Sequence, residues 1–453
     1  MKIAAVIAEY NPFHNGHAYQ LQRIKDHYGY DFVIVVMSGN FTQRGEPAIA
    51  DKYTRTQMAL LSGADLVIEL PAYYACASAE YFATGAVSLI HGLGCVDALF
   101  FGSESEDTDS SSPNPPALLL HAANILLEEP DSYRSALSDT LKRGKSYAAA
   151  RMDALMAALQ EDGLSESCAA RAASQNSCAA QTFSQELNPA PAIQPTSHLF
   201  AILSLPNNTL GMEYCKAILR MNSPLKPFAI KRIGSGYHDV APADTYASAE
   251  AIRTLLSAND AFSALVPHTT AQVLAGLSRD NLLLTQNDFS EMLHYQLLLH
   301  ESELERYADC TPELANRIRS LLPSLLTETT TDMIETIKTK SYTYTRINRV
   351  LTHLLLDMTS DTFSALTDKS APAFLTHARI LGFRKEACGS LLSAVKESAR
   401  IPLITKPADY HPTGIEASLY QSDLLASHIY QSVAAKKSAQ AFRHELTRSP
   451  LIV

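Results

Sequence analysis

The sequence predicts an α/β protein in which an open parallel sheet is followed by a mainly helical C-terminal domain. Four short apolar runs lie in the first quarter of the chain: IAAVIAE, FVIVVMS, DLVIEL and DALFFGS. The segments between them show helical rather than alternating periodicity. Continuous apolar strands that alternate with helices are typical of βαβ units, whose right-handed crossovers build a parallel sheet covered by helices.

The next segments complete the α/β domain up to about residue 260. Residues 103–116 combine acidic residues, serine and proline, which predicts a loop, and helical patterns resume from residue 117 to about 160. Residues 161–198 are rich in Ala, Ser and Gln and poor in large apolar side chains, so we expect a flexible insertion. After it, PNNTLGMEYCKAILRM predicts a capped helix, KPFAIKRI a fifth strand and SAEAIRTLL the start of another helix.

Residues 261–453 form the second predicted domain. From about Asp288 onward, stretches such as EMLHYQLLLHESELERY and RINRVLTHLLLDM repeat apolar residues at i, i+3, i+4 and i+7. Strand patterns are scarce in this part of the sequence. The second domain is therefore predicted to be mainly helical.

The composition is that of an ordinary globular protein. Of 453 residues, 46% are apolar and 19% are charged, and 37 Lys and Arg against 47 Asp and Glu give a net charge of −10. This acidic balance excludes a protein that coats nucleic acid by bulk charge. The seven cysteines form no CxxC pair, no basic-then-apolar leader is visible, and no apolar run reaches the length of a membrane helix. We therefore expect a cytoplasmic protein with reduced cysteines.

Two histidines, His14 and His17, follow the first predicted strand. The string NPFHNGH enters a helix near Asn15 or Gly16, so both imidazoles are expected on one side of the helix N-terminus. Backbone N–H groups and the helix dipole favour an anion there, two imidazoles can donate to phosphate oxygens, and Gly16 lets a phosphate approach the backbone. Open α/β sheets bind ligands at this position, the carboxyl end of a strand.

Two other interpretations of the histidine pair remain open from the residues alone. The pair can belong to an ordinary strand-to-helix turn, and histidines at i and i+3 can bind zinc. Zinc is disfavoured because no cysteine or acidic partner has zinc-finger spacing, and we expect no metal held by protein ligands. The position after the first strand favours phosphate binding.

NPFHNGH resembles the HxGH signature of the nucleotidylyltransferase superfamily. Further motifs are similar to those of the bacterial tRNA(Met) cytidine acetate ligase family: MSGNFTQRGEPAIADKYTRTQMAL, GADLVIELP, FFGSE, LPNNTLGMEY, KRIGSGYHD and KSYTYTRINR. The resemblance implies a Rossmann-like nucleotidyltransferase domain that binds ATP over residues 1–260 and a tRNA-binding helical domain over residues 261–453. It also implies that acetate and ATP form acetyl-adenylate, whose acetyl group passes to N4 of the wobble cytidine of elongator tRNA(Met). Mg²⁺ would neutralise the departing pyrophosphate.

The resemblance implies a set of ATP contacts by matching position. They are Ile7, Ala8, Glu9, Tyr10, Asn11, Pro12, Phe13, His14, Asn15, Gly16, His17, Ala18, Tyr19, Gln20, Gly102, Asn207 and Arg232. Each of the last three has a second interpretation. Gly102 can serve only as a turn, Asn207 can cap a helix, and Arg232 can be a solvated charge at a strand end.

ASAEAIR, at residues 247–253, resembles the second superfamily motif, in which a Ser and an Arg at a helix start hold the β and γ phosphates. Ala249 and Glu250 follow Ser248 here, which departs from that motif, whereas Arg253 keeps it. We predict three catalytic residues. His14 and His17 stabilise charge on the α-phosphate, and Arg253 holds the pyrophosphate leaving group.

The predicted tRNA contact is a basic strip, comprising Lys338, Lys340, Tyr342, Tyr344, Arg346 and Arg349. The strip contains no acidic residue, and its tyrosines are interleaved with its basic side chains. It can therefore pair with phosphates and stack on unpaired bases. The alternative interpretation is a solvated helix start.

Three classes of function follow. The first is an acetate ligase that acts on elongator tRNA(Met). The second is a small-molecule nucleotidyltransferase of a cofactor pathway, which shares the histidine pair but gives no reason for a basic helical region. The third is a noncatalytic RNA-binding protein that retains the fold and binds ATP weakly or not at all.

Overall fold

A computed structural model describes the chain in seven segments. They are residues 1–104, 117–145, 147–161, 203–233, 245–368, 370–387 and 389–453. The predicted insertion at residues 161–198 falls, apart from its first residue, outside the described residues. Most of the predicted loop at residues 103–116 also lies outside them.

The chain divides into two compact units. One comprises residues 1–100 and 233–453, and the other comprises residues 101–232. This division differs from the predicted boundary near residue 260. The difference arises because strands from the last third of the chain pair with the N-terminal sheet, so residues distant in sequence share one core.

The strands are short and almost entirely buried at the centre of the sheet. In chain order they are β1 (Ile3–Ala8), β2 (Phe32–Ser38), β3 (Leu66–Leu70), β4 (Ala98–Ser103), β5 (Lys226–Lys231), β6 (Ala378–Phe383), β7 (Leu403–Ile404) and β8 (Leu451–Ile452).

The first unit contains the parallel sheet that the sequence predicts. β1 pairs in parallel with β2 and with the first half of β4, and β2 pairs in parallel with β3. The register joins Ile3 to Phe32 and Ala4 to Ala98. Because β1 lies between β2 and β4, the strand order reverses beside β1. Open sheets bind ligands at the carboxyl end of the strands at such a reversal.

The C-terminal region adds strands that the sequence analysis did not predict. β6 pairs antiparallel with β3, and β7 and β8 each pair in parallel with β6. The ARILGF run of β6 is buried at all but its last position. An apolar run this short and without alternation cannot be assigned to strand or helix from periodicity, which is why it was missed.

The α-helices connect these strands and make up most of the remaining described chain. They are α1 (Asn15–Asp26), α2 (Lys52–Leu61), α3 (Ala72–Ala75), α4 (Ala79–Leu93), α5 (Ala117–Glu128), α6 (Asp131–Lys142), α7 (Tyr147–Glu161), α8 (Pro206–Arg220), α9 (Ala249–Ala258), α10 (His268–Arg279), α11 (Ser290–Leu299), α12 (Pro312–Leu325), α13 (Thr330–Ile337), α14 (Tyr344–Leu355), α15 (Ser360–Leu366), α16 (Ser390–Ser398) and α17 (Gly414–Ser438).

The C-terminal helices confirm the prediction of a mainly helical region. α14 corresponds to one of the two stretches that the periodicity identified, whereas α11 covers only the first part of the other, and a 3-10 helix at Glu301–Arg306 follows it. Thr343 caps α14 by accepting a hydrogen bond from the Arg346 backbone N–H, 3.4 Å away. Among the described residues, no helix is both long and apolar enough to span a membrane.

The second unit contains helices α5 to α8 and strand β5. Its strand lies beside the carboxyl end of β4, where the Arg232 N–H donates to the Ser103 carbonyl oxygen at 2.9 Å. α8 packs closely on its neighbours, since a Cβ at Gly211 would lie 2.7 Å from Phe101 Cε2. The predicted fifth strand and the helix before it are thus confirmed.

Candidate active site

The histidine pair lies at the N-terminus of α1, directly after β1. His14 is the N-cap residue, and its Nδ1 accepts a hydrogen bond from the Gly16 N–H at 3.1 Å. His17 Nδ1 in turn accepts from the His14 N–H at 3.3 Å. An imidazole nitrogen that accepts a hydrogen bond carries no proton, so the neutral rings carry theirs on Nε2. Both side chains therefore present an Nε2–H donor.

Packing fixes the orientation of these two rings. They stack with centroids 3.6 Å apart and an interplanar angle of 21°. Tyr10 packs edge-on against His17, with centroids 4.7 Å apart, and the Phe13 ring lies 5.4 Å from His17 and 4.7 Å from Tyr10. A Cβ at Gly16 would lie 3.0 Å from His14 Cε1, so this glycine makes room for the His14 ring itself. The sequence analysis had assigned that space to a phosphate.

The remaining predicted contacts of this segment lie along the same stretch of backbone. They are Ile7 and Ala8 at the end of β1, Glu9 and Pro12 in the loop, and Asn15, Ala18, Tyr19 and Gln20 in the first turns of α1. The Asn15 amide donates to the carbonyl oxygens of Thr245 and Ala264, each at 2.9 Å. That contact ties α1 to the segments that flank α9.

Arg253 lies beside the histidine loop. Its Nη1 donates to the Asn11 carbonyl oxygen at 2.8 Å, and its Nη2 lies 3.6 Å from a carboxylate oxygen of Glu46. Ser248 caps α9 by accepting from the Ala251 N–H at 3.1 Å. The serine hydroxyl thus caps the N-terminus of the helix that carries Arg253.

A turn that the sequence analysis left without a role contacts this loop. The Thr42–Glu46 turn closes through hydrogen bonds from the Thr42 N–H to the Glu46 carbonyl and from the Gly45 N–H to the Thr42 carbonyl, each 2.9 Å long. Its Gln43 N–H donates to Glu9 Oε1 at 2.8 Å. Burial raises the pKa of the Glu9 carboxyl. The turn lies within the motif MSGNFTQRGEPAIADKYTR, which was quoted for the family resemblance. The residue spacing of that motif did not by itself predict a chemical role for the turn.

Arg55, the last residue of this string, is completely buried. Its Nε donates to the Ala50 carbonyl at 2.9 Å, and its Nη groups donate to the carbonyl oxygens of Glu9, Ser38 and Gly39. Burial lowers the pKa of this guanidinium. Arg55 therefore joins the carboxyl end of β2 to the loop that follows β1 and fixes the backbone before the histidine pair.

In the second unit, Gly102 and Arg232 lie together. A Cβ at Gly102 would lie 3.3 Å from Arg232 Cγ, which is tighter than ordinary contact. The glycine therefore sets how closely the arginine side chain approaches the end of β4. Because Gly102 lies within β4, its second interpretation as a turn is wrong.

Asn207 lies in the first turn of α8, whose N-cap is Leu205, so the helix-cap interpretation of Asn207 is wrong. Its side-chain amide donates to Glu104 Oε1 at 2.7 Å. The neighbouring Asn208 is buried, and its Oδ1 accepts from the Ser103 hydroxyl at 2.7 Å. The FFGSE and LPNN motifs are thus joined by side-chain hydrogen bonds within the second unit.

The basic strip lies at the end of α13 and along α14, and two of its cations have acidic partners. Lys338 Nζ lies 3.1 Å from Glu335, with both side chains exposed, and Arg349 Nε lies 3.2 Å from Asp309 Oδ2. Lys340 is exposed. Exposed pairs of this kind contribute little to stability, so a phosphate can replace the carboxylate.

The aromatic members of the strip differ from each other. The Arg346 guanidinium lies over the Tyr342 ring, 5.4 Å from its centroid. The Tyr344 hydroxyl instead accepts a hydrogen bond from the Gln286 amide, and burial raises its pKa. Tyr342 is therefore better placed than Tyr344 to stack on a base.

Comparison with known proteins places this chain in a family. A family model described as HIGH Nucleotidyl Transferase matches residues 1–445. The tRNA(Met) cytidine acetate ligase of Clostridium kluyveri is 35% identical over 458 residues, which cover 100% of this chain and 99% of that protein. The ligase of Acetivibrio thermocellus is 35% identical over 464 residues, with 98% and 99% covered. The chain belongs to the tRNA(Met) cytidine acetate ligase family.

Solved structures of the family agree with the fold. The apo crystal structure of Thermotoga maritima TmcAL superposes with a TM-score of 0.84 at 26% identity, covering 100% of both chains. A second crystal form of that protein, bound with alpha-thio ATP, gives a TM-score of 0.82 at the same identity and coverage. The predicted family and the Rossmann-like domain are confirmed.

Proposed function

We infer that this protein is an ATP-dependent tRNA(Met) cytidine acetate ligase. One observation carries the inference. Two stacked histidines, whose Nδ1 atoms each accept a backbone hydrogen bond, lie at the N-terminus of the first helix in a chain that belongs to this family over its whole length. Acetate and elongator tRNA(Met) are the proposed substrates besides ATP, and a tRNA substrate implies action in the cytoplasm.

In the first step an acetate oxygen attacks the α-phosphorus of ATP, and the bond to pyrophosphate breaks. Negative charge grows on the α-phosphate oxygens, where the Nε2–H groups of His14 and His17 and the N-terminus of α1 stabilise it. Arg253, held at the Asn11 carbonyl, binds the departing pyrophosphate. The assignment of Gly102, Asn207 and Arg232 to ATP is a proposal that rests on the family's motifs.

The proposed Mg²⁺ would arrive with ATP. Across the described segments, no three His, Cys, Asp or Glu side chains cluster as a metal site. Mg²⁺ usually keeps several waters and binds through substrate phosphates, so it needs no such cluster. When bound, the ion neutralises charge on the pyrophosphate.

In the second step the N4 amino group of the wobble cytidine attacks the acetyl carbon, and AMP leaves. No covalent intermediate with the protein is needed. Burial raises the pKa of the Cys76 and Cys215 thiols, which makes both poor nucleophiles. The basic strip is the proposed contact that orients the tRNA.

The experiment that tests this function is exchange of labelled pyrophosphate into ATP. The protein is incubated with ATP and pyrophosphate, with and without acetate and without tRNA. We expect exchange that requires acetate and that His17→Ala abolishes. Exchange driven instead by a phosphorylated small molecule would support a cofactor nucleotidyltransferase, and no exchange together with tRNA binding would support a noncatalytic RNA-binding protein.

A further inference from the structure

The Thr42–Glu46 turn lies directly against α14, the helix that carries part of the basic strip. Asn348 Nδ2 donates to the Arg44 carbonyl at 2.9 Å, and the Thr352 hydroxyl donates to the Gly45 carbonyl. Both α14 side chains are buried, at 2% and 5% exposed. Their polar atoms are therefore committed to the turn rather than to solvent.

Gly45 shows how close this contact is. Its φ is +78°, in the left-handed region, and a Cβ there would lie 2.8 Å from both the N and the Cα of Arg349. Only glycine fits, because backbone atoms of α14 occupy the space of a side chain. The turn and the helix therefore meet backbone to backbone.

Two other contacts of the turn reach residues placed around the histidine loop. Gln43 donates to Glu9, and Glu46 lies 3.6 Å from Arg253, which itself donates to the Asn11 carbonyl. A continuous chain of contacts therefore runs from Asn348 and Thr352 to the guanidinium that binds the leaving group. Every link lies within the first compact unit.

We propose that Asn348 and Thr352 are positioning residues of the adenylation step. They hold the Thr42–Glu46 turn, the turn holds Glu46, and Glu46 holds the Arg253 guanidinium in the orientation that binds the pyrophosphate end of ATP. α14 thus contributes to both adenylation and transfer to tRNA, through different residues. Its buried polar residues act on ATP, and its half-buried basic residues, Arg346 and Arg349, act on tRNA. The inference rests on the proposed function.

The test compares ATP affinity and tRNA-free, acetate-dependent pyrophosphate exchange for Asn348→Ala, Thr352→Val and Gly45→Ala. A misplacement of about 1 Å at a positioning group can cost about 10²-fold, so we expect kcat/KM for ATP to fall by about 10- to 100-fold. Thr352→Ser keeps the hydroxyl and should restore exchange. The matched control is Thr336→Val, which removes a threonine hydrogen bond to Glu328 away from the turn and should leave exchange unchanged.

A double-mutant cycle separates positioning from a general loss of folding. If Asn348 acts through Arg253, then Asn348→Ala should change ATP affinity by less than about twofold in an Arg253→Ala background, whereas independent effects would add. Full additivity, or wild-type exchange in both Asn348→Ala and Thr352→Val, overturns the inference. If the wild-type protein binds ATP but shows no acetate-dependent exchange, the proposed function is overturned instead. The ATP affinities of the variants in the double-mutant cycle then decide whether the positioning inference holds.

Discussion

Replacing His14 by asparagine separates its two roles at the start of α1. His14 caps the helix through Nδ1, which accepts from the Gly16 N–H, and we propose that its Nε2–H donates to the α-phosphate. Asparagine is among the best N-cap residues, so His14→Asn keeps the cap. Its shorter side chain cannot place a donor where Nε2–H lies. His14→Ala loses both functions.

The two roles of His14 set the expected losses of rate and of stability. Losing one donor to a developing oxyanion costs about 10²- to 10³-fold in rate, or about 2.7 to 4 kcal/mol. Losing the cap costs about 1 kcal/mol of stability, which for a chain of this size lowers the melting temperature by about 2 °C or less. We therefore expect both variants to lose acetate-dependent exchange and only His14→Ala to lose stability.

The assay is initial-rate pyrophosphate exchange at saturating ATP and acetate, with thermal unfolding of the same samples followed by circular dichroism. His17→Ala serves as a second variant because it removes the other donor and leaves the N-cap side chain in place. The reasoning is refuted if His14→Asn exchanges at about the wild-type rate. In that case the histidine pair only begins the helix.

Three further predictions concern other parts of the molecule. Arg55→Leu leaves four carbonyl oxygens without their donor, three in buried and one in part-buried hydrogen bonds, each worth about 1 to 3 kcal/mol; after local relaxation we expect a loss of about 3 to 5 kcal/mol in the free energy of unfolding by urea, and a loss below about 1 kcal/mol would show that water replaces the guanidinium. Gly102→Ala pushes against Arg232, and we expect ATP affinity, measured by titration calorimetry, to fall several-fold; an unchanged affinity would remove this pair from the ATP site. Neutralising the four cations of the basic strip should weaken tRNA binding and flatten its salt dependence by about 0.7 to 0.9 per lost phosphate contact while pyrophosphate exchange survives; an unchanged salt slope would identify the strip as a solvated helix face.

The parallel core was predicted because each of its first four strands is a short, mainly apolar run between helical segments. The same argument could not assign β6, whose six residues carry no alternation and whose burial depends on pairing with β3, more than 300 residues earlier. Burial of this kind is a tertiary property. Local sequence does not encode it.

The candidate site likewise contains residues that the sequence suggested and residues that it did not. The sequence suggested His14, His17 and Arg253 because their residue types and their places after a strand or at a helix start match known phosphate chemistry, and their catalytic roles stay predictions. It did not suggest Glu46 or Arg55, because Glu46 contacts another side chain and Arg55 contacts backbone carbonyls. Asn207 was predicted to contact ATP, and its second interpretation as a helix cap is wrong because Leu205 occupies the N-cap position and Pro206 begins the helix.

The most direct test of the central claim follows the oxygen atoms of acetate. Acetate labelled with oxygen-18 at both oxygen atoms is incubated with the protein, ATP and elongator tRNA(Met). The tRNA is then digested to nucleosides, and mass spectrometry measures the masses of AMP and of these nucleosides. Attack by acetate on the α-phosphorus, followed by transfer of the acetyl group, leaves one labelled oxygen in AMP and one in N4-acetylcytidine from the wobble position. Unlabelled AMP would contradict the account. So would a labelled acetyl group in a tRNA that has uridine at the wobble position, tested in the same way.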